Sequence, residues 1–84
     1  MVTKKWRFTR EMIDDAPAHP GLYALWQNDK LLRLGCARGA ESIRDKLLAH
    51  LETSPAAVTH YSWEISRSPE QRAVEVVRML EAAG

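Results

Sequence analysis

The 84-residue sequence has one cysteine, three histidines and no long apolar run. Its single thiol, Cys36, cannot form a disulfide within the chain, and the scattered histidines supply no ligand set for a structural zinc. No stretch approaches the roughly 18 apolar residues that span a bilayer, and no apolar segment follows the N-terminal lysines, so neither membrane insertion nor export is indicated. We therefore expect a cytoplasmic protein without membrane contacts, folded as one domain over residues 1–84.

Neither positive nor negative residues predominate, since 12 Lys and Arg residues face 11 Asp and Glu residues. The net charge of +1 does not place the chain among the strongly basic nucleic-acid-binding domains. Cations nevertheless cluster locally, near the N-terminus and again between Arg33 and Lys46. A basic face and an ordinary solvated surface explain that clustering equally well.

The apolar pattern predicts alternating short elements. Thr9 is suited to cap a short helix to about Asp15, and two apolar arms, 22–26 and 30–34, flank a turn at Asn28-Asp29. A helix is expected from about Ser42 to Thr53, a half-buried strand over 58–66, and a final helix that begins at Ser68-Pro69. The fold class is α+β, a small three-stranded, mostly antiparallel sheet flanked by helices in the order α-β-β-α-β-α.

Two short motifs frame the hairpin. Gly21-Leu22-Tyr23 is followed after nine residues by Arg33-Leu34-Gly35, with Tyr23 and Arg33 expected to lie across from each other. The next helix carries Lys46 and His50 one turn apart, and the last helix carries Glu75 five residues after Glu70. In this order, the motifs resemble those of the GIY-YIG nuclease superfamily, over about residues 20–80.

The resemblance implies metal-dependent hydrolysis of phosphodiester bonds in nucleic acid, with DNA favoured as substrate. The implied catalytic site comprises Tyr23, Arg33, Lys46, His50 and Glu75. Glu75 would hold one Mg²⁺ or Mn²⁺, and a single carboxylate is enough for a Mg²⁺ that keeps most of its waters. Tyr23 would orient or deprotonate the attacking water, while a cation binds the phosphate.

Two positions depart from the family pattern. Arg33 stands where the second tyrosine is expected, and Lys46 where the family has arginine. Lysine keeps the positive charge but loses the bidentate contact with phosphate oxygens, which weakens binding of the transition state. Either Arg33 replaces the missing arginine and the site still cleaves, or hydrolysis is lost and phosphate binding is kept.

The alternatives belong to other functional classes. The first is a degenerate module that binds DNA or RNA through Arg33, Arg38 and Lys46 without cleaving it. Arg38 and Arg44 are the predicted nucleic-acid contacts outside the catalytic set. The second is a protein-interaction domain that uses exposed aromatics such as Trp6 or Trp26. Because the chain has no room for a domain that selects substrates, a partner protein or an oligomer is expected to do so.

Taken singly, each site residue has an ordinary explanation. Tyr23 suits a strand, Glu75 a solvated helix face, and His50 a helix end, where it interacts with the helix dipole. Five positions that fall into one ordered frame favour the family instead. The nuclease hypothesis requires all five side chains to converge on one pocket, and it fails if Glu75 points away from the hairpin.

Overall fold

A computed structural model describes residues 4–53 and 57–83, with side chains up to residue 79. The fold is α+β, with an antiparallel sheet and three helices, which confirms the predicted class. The elements are β1 (Trp6–Arg7), α1 (Arg10–Asp14), β2 (Gly21–Gln27), β3 (Lys30–Ala37), α2 (Ile43–Thr53), β4 (His60–Ile65) and α3 (Pro69–Ala83).

The sheet has four strands in the order β1-β4-β2-β3, and every neighbouring pair is antiparallel. The prediction of three strands and of the order α-β-β-α-β-α was therefore wrong by one element, the N-terminal β1. This strand has only two residues, too few to show an alternating pattern in the sequence. Long-range pairing creates it, because Trp6 lies opposite Tyr61 and the Phe8 amide donates to the Thr59 carbonyl at 3.0 Å.

The β2–β3 hairpin turns at Asn28-Asp29, as predicted. Asn28 has a φ of 52°, a left-handed conformation that asparagine tolerates better than most residues. Beyond the turn the ladder is irregular: Trp26 lies opposite Leu31, but Leu25 lies opposite Arg33. Leu32 is therefore an extra residue in β3, a β-bulge that shifts the register of all that follows.

Helices cover both faces of the sheet, and the side chains of β2 alternate between the two faces. Tyr23 and Leu25 belong to a core that includes residues of α1 and α2, whereas Leu22 and Ala24 project to the opposite face, where α3 packs on β2 and β3. All of these β2 residues are buried. The core cluster on the α1 and α2 side comprises Ile13, Ala16, Tyr23, Leu25, Ala37, Ile43, Leu47 and Tyr61.

Local hydrogen bonds fix the start of α2, the helix that carries two of the predicted site residues. The Ser42 amide donates to Asp45 Oδ2 at 3.0 Å, and the Asp45 amide donates to Ser42 Oγ at 3.1 Å. This reciprocal capping lowers the pKa of the Asp45 carboxyl. Ile43 and Leu47 then point into the core with no exposed surface, which leaves Lys46 and His50 at the margin of the helix.

Candidate functional site

Tyr23 and His50 form a direct contact at the centre of the candidate site. The Tyr23 side chain is buried, with 3% of the residue exposed, and its hydroxyl lies 2.9 Å from His50 Nε2. A Cβ at Gly35, directly opposite on β3, would overlap the Tyr23 ring. The glycine of the Arg33-Leu34-Gly35 motif therefore leaves the space through which the tyrosine reaches α2.

Arg33 and Lys46 complete a cationic group beside this pair. Burial lowers the pKa of His50, and the positive charges of Arg33 and Lys46 lower it further. Lys46 lies one helical turn before His50, and its Nζ is 3.3 Å from Glu41 Oε1. Four of the five predicted site residues, Tyr23, Arg33, Lys46 and His50, are thus brought to one side of the sheet.

The relation of Tyr23 to Arg33 differs from the expected one. They are not across from each other, because Tyr23 lies opposite Gly35 and Arg33 lies opposite Leu25. The bulge at Leu32 is the reason that both still share a face. In a regular ladder Arg33 would lie opposite Ala24 and would project toward α3.

Glu75 is not part of this group. Its carboxylate accepts a hydrogen bond from Arg72 Nη1 at 2.8 Å, and the same guanidinium donates to Glu64 Oε1 at 3.1 Å. Glu64 lies opposite Leu22 on β2, so it projects from the face opposite to Tyr23. The structure therefore places Glu75 on the α3 side of the sheet and the other four predicted residues on the α2 side.

The residues near Tyr23 do not fit a Mg²⁺ or Mn²⁺ site. Hard divalent cations require oxygen ligands, but the charges that act on His50 are those of Arg33 and Lys46, and the carboxylate of Glu41 pairs with Lys46. Glu75, the predicted ligand, is on the other side and already pairs with Arg72. In the part of the chain that the structure describes, no group of three or more His, Cys, Asp and Glu residues is arranged to hold a metal.

The other predicted contact residues have partners of their own. Arg38 forms an exposed ion pair with Glu70, and Arg44 Nε donates to the Ala16 carbonyl at 2.9 Å, two residues beyond α1. Neither joins the group around His50. Trp26 and Trp6 also pack within the domain, since Trp26 Nε1 donates to Ser62 Oγ at 2.9 Å and Trp6 stacks on Trp63 at a centroid distance of 5.3 Å.

The arrangement is suited to bind an anion and poorly suited to activate water. A catalytic tyrosine has to reach the attacking water, but the Tyr23 hydroxyl is buried against His50. Arg33 is exposed, so its guanidinium is available to an external ligand, whereas Lys46 is half-buried and pairs with Glu41. A guanidinium, an ammonium and an imidazole together supply the donors that phosphate oxygens accept.

Two features of this architecture were not predicted from the sequence: the reason that Gly35 of the second motif must be glycine, and the role of Arg72. Gly35 must be glycine because Tyr23 lies opposite it. The bulge at Leu32 determines this pairing, and nothing in the sequence indicates the bulge. Arg72 was missed because its partner Glu64 is eight residues away on another element, a separation outside the helical spacing rules. Only the Arg72–Glu75 contact, three residues apart on α3, follows a pattern visible in the sequence.

No helix among the described residues is long and apolar enough to cross a membrane. Comparisons of the chain with protein-family models, with curated proteins and with solved structures found no match. The resemblance to the GIY-YIG superfamily therefore rests on the motif residues and their order.

Proposed function

We propose that this chain is a GIY-YIG-like domain that binds the phosphate backbone of nucleic acid through Arg33, Lys46 and His50 and does not cleave it. The observation that carries this proposal is the convergence of two cations on the Tyr23–His50 pair, with Glu75 on the other side of the sheet. We thus favour phosphate binding without cleavage over metal-dependent endonuclease activity.

Arg33 is the main phosphate ligand in this proposal. It occupies the second tyrosine position of the family pattern, where a guanidinium offers two parallel donors to phosphate oxygens. Lys46 adds a point charge, although it must exchange its ion pair with Glu41 for the ligand. Glu41 is exposed and Lys46 is half-buried. A partly exposed ion pair of this kind is worth little, so that exchange costs little.

His50 has a modulating role. When it is neutral, it shares a single hydrogen with the Tyr23 hydroxyl, and either group can be the donor. When it is protonated, Nε2 must donate to Tyr23 and the ring adds a positive charge beside Arg33 and Lys46. A bound phosphate would favour the protonated form, because its negative charge offsets the repulsion among the three cations.

Binding can be measured by fluorescence anisotropy with labelled single-stranded and duplex DNA and with RNA, in metal-free buffer over a series of salt concentrations. We expect Arg33→Ala and Lys46→Ala each to weaken binding and to reduce the salt slope by about one. Arg67→Ala is the matched control, because Arg67 is an exposed arginine outside the group. Binding that is unaffected by Arg33→Ala and Lys46→Ala would contradict the proposed interface.

A second experiment addresses cleavage directly. Wild-type protein and Glu75→Ala are incubated with the same nucleic acids plus Mg²⁺ or Mn²⁺. We expect no metal-dependent cleavage by the wild type and unchanged binding by Glu75→Ala. Cleavage that Glu75→Ala abolishes would overturn the non-cleaving part of the proposal and restore the endonuclease hypothesis.

Several features of the function remain predictions. These are a cytoplasmic location, DNA rather than RNA as the preferred ligand, and a partner or oligomer that selects the substrate. The absence of any binding to nucleic acid at low salt would favour a protein-interaction domain instead.

A further inference from the structure

Strand β3 forms one edge of the sheet. Within the described residues its outer side pairs with no other strand, and it is eight residues long. Long unpaired edges bind other strands readily unless they are short, covered or interrupted. The bulge at Leu32 interrupts only one end of β3, so a regular stretch from Arg33 to Ala37 remains available for pairing.

An apolar surface of α3 lies directly beside that edge. A shallow groove of about 450 Å³ is lined by Leu34 of β3 and by the helix residues Ala73, Val74, Val77 and Arg78. Val74 is 53% exposed and Val77 is 42% exposed, which is unusual for valines on a helix that packs on a sheet. We call this surface, formed by Leu34, Ala73, Val74 and Val77, the α3 strip.

The charges at the two ends of the α3 strip are complementary to each other. Glu70 and Arg78 lie four residues before and four residues after Val74, so the three share one stripe of the helix surface. If two α3 helices pack antiparallel about a twofold axis at Val74, Glu70 of each copy faces Arg78 of the other. This surface is therefore complementary to a second copy of itself, which is the requirement for a twofold dimer.

The distance expected between the two α3 helices agrees with edge-to-edge pairing of the two β3 strands. Two β3 strands paired edge to edge lie about 4.8 Å apart. Helix α3 packs over both β2 and β3. An axis midway between these two strands would lie about half a strand spacing inside the edge. The two α3 axes would then be about 10 Å apart, within the usual range for packed helices.

The edge charges also permit the pairing. With Leu34 at the twofold axis, Arg33 of each copy lies opposite Gly35 of the other, and Cys36 lies opposite the bulged Leu32. Regular pairing across the axis therefore covers residues 33–35. The two arginines are then not directly opposed, and the residue across from each has no side chain to obstruct it. From these features together we propose that β3 and the α3 strip form the interface of a symmetric homodimer with a continuous eight-stranded sheet.

The test is sedimentation equilibrium of the full chain without nucleic acid, from about 1 μM to 1 mM, the range in which modest interfaces dissociate. We expect a concentration-dependent dimer. Val74→Glu should raise the dimer dissociation constant about tenfold or more, because it buries an unpaired charge at the centre of the interface. A monomer throughout this range would overturn the proposal.

Charge exchange provides a second, independent readout. Glu70→Arg and Arg78→Glu should each weaken the dimer, because each change places like charges opposite one another. The double variant should restore the dissociation constant to within about threefold of wild type, since it only exchanges the two positions. Two single effects that simply add in the double variant would contradict the antiparallel arrangement.

Controls separate the interface from other effects. Glu11→Arg changes an exposed carboxylate on α1 and should leave the dimer unchanged. Arg38→Ala removes the intrachain partner of Glu70 and should not weaken the dimer. Circular dichroism checks that each variant folds, and if Val74→Glu does not fold, the charge exchange decides.

Amide hydrogens on the outer side of β3 should also exchange more slowly at high protein concentration than at low concentration.

Discussion

On the α2 side of the sheet, Arg33 and Lys46 lie beside His50, and their charges act on an imidazole that is itself a potential cation. On the α3 side, Arg72 lies between Glu64 and Glu75, so that positive charge is neutralised within the domain. A net charge of +1 conceals this difference. We propose that the α2 side receives an external anion, although Lys46 pairs there with Glu41. On the α3 side, Arg72 instead links β4 to α3 within the domain.

The largest expected effect concerns the packing beneath each side. Leu47 is fully buried under α2 and Val76 is fully buried under α3. We expect Leu47→Ala to lower the free energy of unfolding by about 3 kcal/mol and Val76→Ala by about 2 kcal/mol, because the leucine loses more buried methyl and methylene groups. Urea unfolding measures both changes. A larger loss for Val76→Ala would show that the α3 side holds the main core.

Gly35→Ala should have the next largest effect. The new Cβ overlaps the Tyr23 ring, so we expect a loss of about 2 kcal/mol and displacement of Tyr23 from His50. Gly39→Ala is the control: its Cβ meets no neighbour, but its φ of 67° makes alanine cost about 1 kcal/mol. Equal losses in urea unfolding, with an unchanged His50 NMR signal in Gly35→Ala, would mean that the close approach is unimportant.

Arg72→Ala should produce a smaller and pH-dependent loss. The hydrogen bonds from Arg72 hold the pKa of the Glu64 carboxyl below its usual value. A lowered carboxyl pKa stabilises the fold above the pKa of the unfolded state, and that contribution is lost as the pH falls through the folded-state pKa. The stability difference between wild type and Arg72→Ala should therefore be largest near neutral pH and should shrink in acid. Urea unfolding at several pH values measures this, and a constant difference would contradict the pairing.

The smallest effect is spectroscopic. The pKa of His50 in the folded protein should lie below the usual 6.5. Below pH 6.5 the unfolded chain therefore binds the proton more readily than the folded protein, and His50 lowers the free energy of unfolding. In an NMR titration, Arg33→Ala should raise the pKa of His50, whereas Arg67→Ala should not. Added oligonucleotide should also raise it and should bind more tightly at pH 6 than at pH 7. A pKa that is unchanged in Arg33→Ala would separate Arg33 from the candidate site.

Local chemistry accounts for the parts of the fold that the sequence predicted. Thr9 Oγ1 accepts from the Met12 amide at 3.3 Å as a helix cap, and Asn28 has the positive φ expected of this turn. The features that were missed depend on contacts between distant residues. Strand β1 exists only through β4, and the bulge at Leu32 has no signal in composition or spacing.

The candidate site shows the same limit. The helical spacing of Lys46 and His50 predicted that they share one margin of α2, and they do. The spacing of Glu70 and Glu75 places Glu75 on the last helix, but it does not predict which face of the sheet that helix covers. That choice depends on packing in three dimensions, and it placed Glu75 beside Arg72 and Glu64.

The bulge at Leu32 changes how the nine-residue interval between the two motifs should be interpreted. In a ladder without a bulge, an interval of eight residues would place Arg33 opposite Leu25 and Gly35 opposite Tyr23, as they are now. Deletion of Leu32 should therefore be tolerated, because it removes only the unpaired residue. After deletion of a neighbouring paired residue, Leu32 would have to pair in its place and the bulge would disappear. Among chains with this hairpin, motif intervals that differ by one residue can thus present the same face, and an alignment gap belongs at Leu32 rather than in the turn.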